Sequence, residues 1–136
     1  MRFFFDRNMS KYLAEAIDKL DRENEIKHHD DDPRFNIRTP DIEWITTLSK
    51  DDPPWIILSG DGSILTNNAE LAALKEAKLT FFCMSKRWLH MDILEYSWRL
   101  IKIWPIIVEN SKRSLLRPQI FEVTGGKSNK VDLIRI

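Results

Sequence analysis

Three stretches of the chain are short, apolar and uninterrupted: RFFF at 2–5, WIIL at 55–58 and LTFFCM at 79–84. Runs of this length and density predict strands buried on both faces of a sheet. Between them the spacing of apolar residues changes. MSKYLAEAIDKL at 9–20 puts Met9, Leu13, Ile17 and Leu20 at helical intervals, with Tyr12 and Ala16 alongside and Asn8 or Ser10 as the cap. EIKHH at 25–29 predicts a short second strand, and DDDPRFNIR at 30–38 a solvated loop with little to bury. Thr39-Pro40 signals a helix start, a capping hydroxyl followed by proline at the first helical position, and the helix runs through DIEWITTLSK to Asp51-Asp52-Pro53-Pro54. Asn67 with Glu70 three residues on forms a capping box for NAELAALKEAK. LHMDILEYSWRLIKIW places Met91, Leu94, Trp98 and Ile101 on one helical stripe, with Pro105 expected to kink or end the helix.

Strands alternating with helices predict an α/β fold with a largely parallel sheet and helices on both faces. Residues 111–136 read differently. SKRSLLR is basic and linker-like, and QIFEV, TGGKSN and VDLIRI predict a β-hairpin around a glycine-containing turn. We divide the chain into a core of residues 1–110 and a C-terminal extension of 111–136. A length of 136 residues with 43% hydrophobic content suffices for one domain with a real core. With 21 basic and 21 acidic residues the formal net charge is zero, so overall charge neither requires nor excludes a nucleic-acid partner. A single cysteine, Cys83, rules out an internal disulfide framework and suggests a reducing compartment; its apolar surroundings make it a core residue rather than a nucleophile. No apolar run approaches membrane-spanning length, and Arg2 is followed by only three apolar residues before Asp6 and Arg7, unlike a signal peptide. The expectation is a cytoplasmic protein with no membrane contact.

The chemistry starts with three aspartates. Asp6 ends the first apolar strand, and Asp61 follows the WIIL strand in SGDGS. In a parallel sheet both strand ends open on one edge, where ligands of open α/β sheets bind. Asp41 stands in the first turn of its helix, four residues before Ile45 and seven before Leu48, on the inward side; Glu43 lies about 200° around the helix from it, toward solvent. Taken singly, each aspartate has an ordinary reading as a cap, helix-dipole or turn residue. Taken together they form a convergent carboxylate set, which needs a cation to offset its repulsion. Hard oxygen donors select Mg²⁺ or Mn²⁺ and suit phosphodiester chemistry. No His/Cys cluster offers a zinc alternative, since adjacent His28 and His29 would point to opposite faces of a strand.

RFFFDRNMS, TPDIEWI and WIILSGDGSI, in that order, resemble the PIN-like ribonuclease domains of VapC-type toxins over about residues 1–110. The resemblance implies a three-layer α/β/α sandwich and Mg²⁺- or Mn²⁺-dependent endoribonuclease activity on an RNA substrate. It also implies a cognate antitoxin protein as partner in a toxin–antitoxin pair. Carried over, Asp6, Asp41 and Asp61 become the catalytic metal carboxylates and Asn8 a substrate- or water-positioning residue. Such domains often carry a fourth acid just after the third. Here GSILTNN offers Ser63 and Asn67 instead, both retained as substrate-binding candidates. The departure favours one firmly held metal, or a second arriving with substrate.

Lys86, Arg87 and Trp88 follow a predicted strand end, where two cations and a stacking ring would suit single-stranded RNA, although Trp88 equally fits the core. Lys112, Arg113 and Arg117 form a second basic cluster for RNA phosphates or an acidic antitoxin segment. Trp98 and Trp104 face different surroundings, which leaves one for a homodimer interface. The alternative function is a catalytically weak or inactive PIN-like module that binds RNA or protein, supported by the missing fourth acid. A phosphotransfer receiver is disfavoured, because the first strand does not end on paired acids.

Overall fold

The computed structural model describes residues 1–60, 62–125 and 130–134. The strands are β1 (Arg2–Phe5), β2 (Glu25–His28), β3 (Trp55–Ser59), β4 (Phe81–Met84), β5 (Ile120–Val123) and β6 (Val131–Ile134), and the helices are α1 (Lys11–Leu20), α2 (Asp41–Leu48), α3 (Ser63–Thr66), α4 (Asn68–Ala77) and α5 (Ile93–Arg113). The strands make one sheet in the order β2-β1-β3-β4-β5-β6, parallel except for the β5–β6 pair. This is the mostly parallel α/β/α sandwich expected from the sequence.

The three phenylalanines of β1 show how the layers form. Side chains alternate along a strand, so Phe3 and Phe5 enter one core and Phe4 the other. The first core holds α1 and α5 against the sheet through Leu13, Ile17, Leu100, Ile103, Trp104 and Ile107. Phe3 packs on Trp104 with ring centroids 4.7 Å apart. The second core holds α2 and α4 through Trp44, Ile45, Leu48 and Leu74, and Phe4 stacks on Trp44 at 5.7 Å. All three phenylalanines are fully buried, which fixes β1, and therefore its end, between two packed layers.

Several local expectations are revised. Pro105 does not end α5, which continues to Arg113. The proline is exposed, so its ring meets solvent, while the helix is held by Leu100, Ile103, Trp104 and Ile107 on the buried side. That side is not the stripe expected. Leu94, Trp98 and Ile101 are exposed, because α5 carries two apolar stripes and the one bearing Trp104 packs on β1. Leu20 likewise ends α1 in solvent. Residues 111–113 belong to α5 rather than to a linker. The two strands of the expected C-terminal hairpin pair antiparallel, residues 126–129 of its turn lying outside the described residues, and they continue the sheet through the parallel β4–β5 pairing, with Phe121 and Val123 in the first core. The Thr39 hydroxyl does not cap α2; it accepts from the Asn36 backbone N–H at 2.9 Å, and Pro40 stands at the cap position.

The loop at 30–32 differs most. Asp30 and Asp31 are exposed as expected, but Asp32 is only 1% exposed. Arg34 holds its two carboxylate oxygens at 3.0 and 2.8 Å, and Lys27 stands 3.4 Å away. Burial alone would push the Asp32 carboxyl up, but the hydrogen bonds from Arg34 and the nearby Lys27 outweigh it and hold the group at about 2. Arg34 also grips Asp51 through two bonds of 3.0 and 2.9 Å, tying this loop to the chain that leaves α2.

Candidate active site

The chain leaves β1 for β2 on one side and later reaches β3 on the other, so the sheet's switch point lies between β1 and β3. A crevice forms there at the carboxyl ends of the strands. Asp6 is the first residue beyond β1. Its backbone N–H continues the ladder onto Leu58 O at 2.8 Å. Its buried carboxylate accepts from the Ser59 hydroxyl at 2.9 Å and from the Arg7 backbone N–H at 2.6 Å. It does not cap α1; Ser10 does, accepting from Leu13 N–H.

Asn8 latches the two strand ends together. Its side-chain oxygen accepts from Gly60 N–H at 2.8 Å, and its amide donates toward the Ser59 hydroxyl at 3.4 Å. Glycine at position 60 leaves room for this latch: a Cβ there would meet Asn8 Oδ1 at 3.0 Å and the Asn8 backbone oxygen at 3.1 Å and push Asn8 back. Across the crevice, Asp41 opens α2, where the helix N-terminus favours a negative charge. Its carboxylate accepts from the buried Trp44 indole N–H at 2.8 Å, which sets its orientation, while Glu43 is exposed.

These elements enclose a cleft of about 230 Å³ lined by Asp6, Arg7, Asn8, His29, Thr39, Asp41, Trp44 and Ser63. Four of the sequence candidates, Asp6, Asn8, Asp41 and Ser63, therefore share one cleft. Asp61 lies outside the described residues. Asn67 is engaged elsewhere, accepting from Glu70 N–H at 3.0 Å to cap α4. Lys86 and Arg87 line neighbouring depressions, not this cleft. Trp88 is no stacking platform: it is 1% exposed, packs edge-on with Tyr96 and donates its indole N–H to Val123 O at 3.0 Å. Among the described residues, no three His, Cys, Asp or Glu side chains stand close enough to hold a metal ion.

Arg7, His29 and Thr39 join the cleft, although none of them was expected there from the sequence. The Arg7 guanidinium, anchored on the Ile37 carbonyl, brings a cation to the rim. His29 follows β2, whose end opens on the same edge of the parallel sheet. It is buried and stacks on Phe35 with centroids 5.4 Å apart. Among the described residues its Nδ1 has no hydrogen-bond partner, and Asp30 Oδ1 is 3.8 Å away. Burial lowers its pKa, against the pull of Asp30, and so favours the neutral ring. His28, its neighbour, accepts from Asp30 N–H at 3.0 Å on Nδ1 and so donates from Nε2 to Met9 O at 2.6 Å. The strand-end rule that located Asp6 applies equally to residues 7 and 29, and was the available signal for both.

A doubly covered, mostly parallel sheet with acidic residues at its switch point defines a class of α/β proteins that act on ligands at that edge. Residues 1–86 match the family model described as PIN like domain, and the chain belongs to that family. Domains of this kind are commonly nucleases. No curated protein and no solved structure matches the chain. No helix among the described residues is long and apolar enough to cross a membrane.

Proposed function

We propose that this PIN-like domain is a metal-dependent endoribonuclease of the VapC toxin type that hydrolyses phosphodiester bonds in RNA. The observation that supports it is the pairing of Asp6, at the end of β1, with Asp41, at the start of α2, in one cleft at the switch point. The donors there are carboxylate, hydroxyl and amide oxygens, the set that suits Mg²⁺ or Mn²⁺. Asp6 and Asp41 would hold the ion, with Asp61 as the third carboxylate and the Ser63 hydroxyl nearby. When bound, such an ion supplies charge neutralisation at the phosphate and makes a water more acidic. Arg7 grips a phosphate oxygen from the rim, and Asn8 keeps the two strand ends in register so that Asp6 holds its position. An antitoxin partner and a homodimer belong to the same reading, and Trp98, half exposed beside Leu94 and Ile101, is the surface it offers to a second copy.

A second reading, a non-catalytic module that binds RNA or protein, draws on the sequence after Asp61. GSILTNN holds no acid, and Asn67 is committed to the α4 cap. Incubating labelled single-stranded RNA with the protein in Mn²⁺ or in EDTA separates the two. The nuclease reading expects cleavage in Mn²⁺ only, and a loss of about a hundredfold or more in Asp6→Asn with an unchanged circular dichroism spectrum. Full cleavage by a folded Asp6→Asn variant, or none by the wild type, favours the binding module.

A further inference from the structure

Beside the carboxylate cleft, at the carboxyl ends of β3 and β4, lies a second pocket of about 490 Å³. Ser63 lines both, so the two adjoin across one residue. The second pocket differs in chemistry. Leu65, Met84 and Leu89 give it apolar walls, and Leu89 is 63% exposed although its side chain is large and apolar. Lys86 and Glu122 line it as well. Both also line a third depression together with Arg87, Lys130 and Asp132. The three depressions thus follow one another along the sheet's carboxyl edge, over the ends of β1, β3, β4 and β5, whose neighbouring strands lie about 4.8 Å apart.

The order is carboxylates, an apolar slot, then cations with two acids among them. A single-stranded nucleic acid presents the same alternation: a reacting phosphate, a flat apolar base, and the next phosphate. Unstacked bases are held between apolar or aromatic side chains, while Lys and Arg take the phosphates. Glu122 is unsuited to a phosphate but suited to a base edge. A carboxylate accepts from an exocyclic amino group, such as N4 of cytosine, and finds no amino partner on uracil.

We propose that this pocket seats a base of single-stranded RNA next to the Asp6–Asp41 cleft. Leu65, Met84 and Leu89 flank the base, Glu122 reads an amino-bearing edge, and Lys86, Arg87 and Lys130 hold the phosphate that follows. The assignment rests on the ribonuclease reading above and specifies how its substrate is held.

The test measures binding apart from cleavage. In an Asp6→Asn background with EDTA, fluorescein-labelled eight-residue oligocytidine, oligouridine and an abasic ribose-phosphate oligomer are titrated by fluorescence anisotropy. The expected result is oligocytidine bound about fivefold tighter than oligouridine, with Glu122→Gln erasing that difference. Leu89→Ser, a neutral change at an exposed position, weakens both base-bearing oligomers about tenfold and leaves the abasic one unchanged. Equal affinity for all three oligomers, an unaffected Leu89→Ser variant, or no binding to any of them overturns the proposal. Cleavage by protein with Asp6 intact is scored separately. Cleavage without base-dependent binding removes the base pocket alone, and base-dependent binding without cleavage removes the nuclease reading alone.

Discussion

Two pairs of aspartates are built differently, one in the loops on either side of α2 and one formed by the end of β1 and the first residue of α2. Asp32 and Asp51 share Arg34, a cation supplied by the chain itself, through four hydrogen bonds of 2.8 to 3.0 Å. Asp6 and Asp41 face a common cleft, where Asp6 accepts from a serine hydroxyl and a backbone N–H and Asp41 from an indole N–H. The first group is closed: its geometry is complete within the fold and its work is to tie the loop after β2 to the end of α2. The second is oriented into the cleft. A carboxylate with its own arginine reads as architecture, whereas oriented carboxylates at a switch point read as a place for a ligand.

The contrast can be broken from either side, and the largest effect belongs to the closed group. Arg34→Ala leaves the buried Asp32 charge without its fork and is expected to cost on the order of 3 kcal/mol in urea unfolding, with cleavage per folded molecule unchanged. Asp41→Asn should do the reverse. RNA cleavage falls about a hundredfold while the unfolding midpoint stays within a degree or two, because the amide oxygen can still accept from Trp44.

Acid provides a third comparison. The Asp32 carboxyl is held at about 2 in the folded protein, below its ordinary value near 3.8. A depressed carboxylate stabilises above its unfolded pKa, so this contribution is full above pH 5 and is lost as pH falls from about 4 toward 2. The loss is about 2 kcal/mol. Urea titrations across that range should therefore show a steeper decline for wild type than for Asp32→Asn. Asp51, lowered by its bonds to Arg34, steepens the decline in both proteins. The smallest effect expected is that of Gly60→Ala. Pushing against Asn8 should cost about 1 kcal/mol and slow cleavage about tenfold by loosening the β1–β3 latch.

Much of the fold was legible because period and burial agree in it. The three phenylalanines of β1 read as buried on both faces, and they are, one toward α2 and two toward α5. Reading α5 was harder, because Leu94, Trp98 and Ile101 make as good a stripe as Leu100, Trp104 and Ile107. Periodicity says that a helix is amphipathic without saying which of two stripes the sheet takes. Asp32 looked solvated because an acidic run beside a proline usually is. Its burial depends on a guanidinium two residues away folding back onto it, a side-chain geometry with no local pattern. In the cleft, Asp6 and Asp41 could be placed from strand ends and helix phase. Arg7 and His29 occupy the same edge, but a lone cation and a histidine at strand ends carry no convergent pattern like that of the carboxylates. Lys86 and Arg87 stand beyond Ser63 because the neighbouring strand end, not the chain order, decides which depression they line.

On this reading the cleft carboxylates Asp6 and Asp41 take up an external cation, and Asp32 and Asp51, bound to Arg34, do not. Thermal unfolding in increasing Mn²⁺, up to millimolar, tests it directly on wild type, Asp41→Asn and Asp32→Asn. Binding to the folded state raises the midpoint by linkage, about 5 °C or more at saturation for a chain of this size. The account predicts that rise in wild type and in Asp32→Asn, from whatever midpoint each begins, and its loss in Asp41→Asn. A flat response in wild type, or an equal rise in Asp41→Asn, contradicts it.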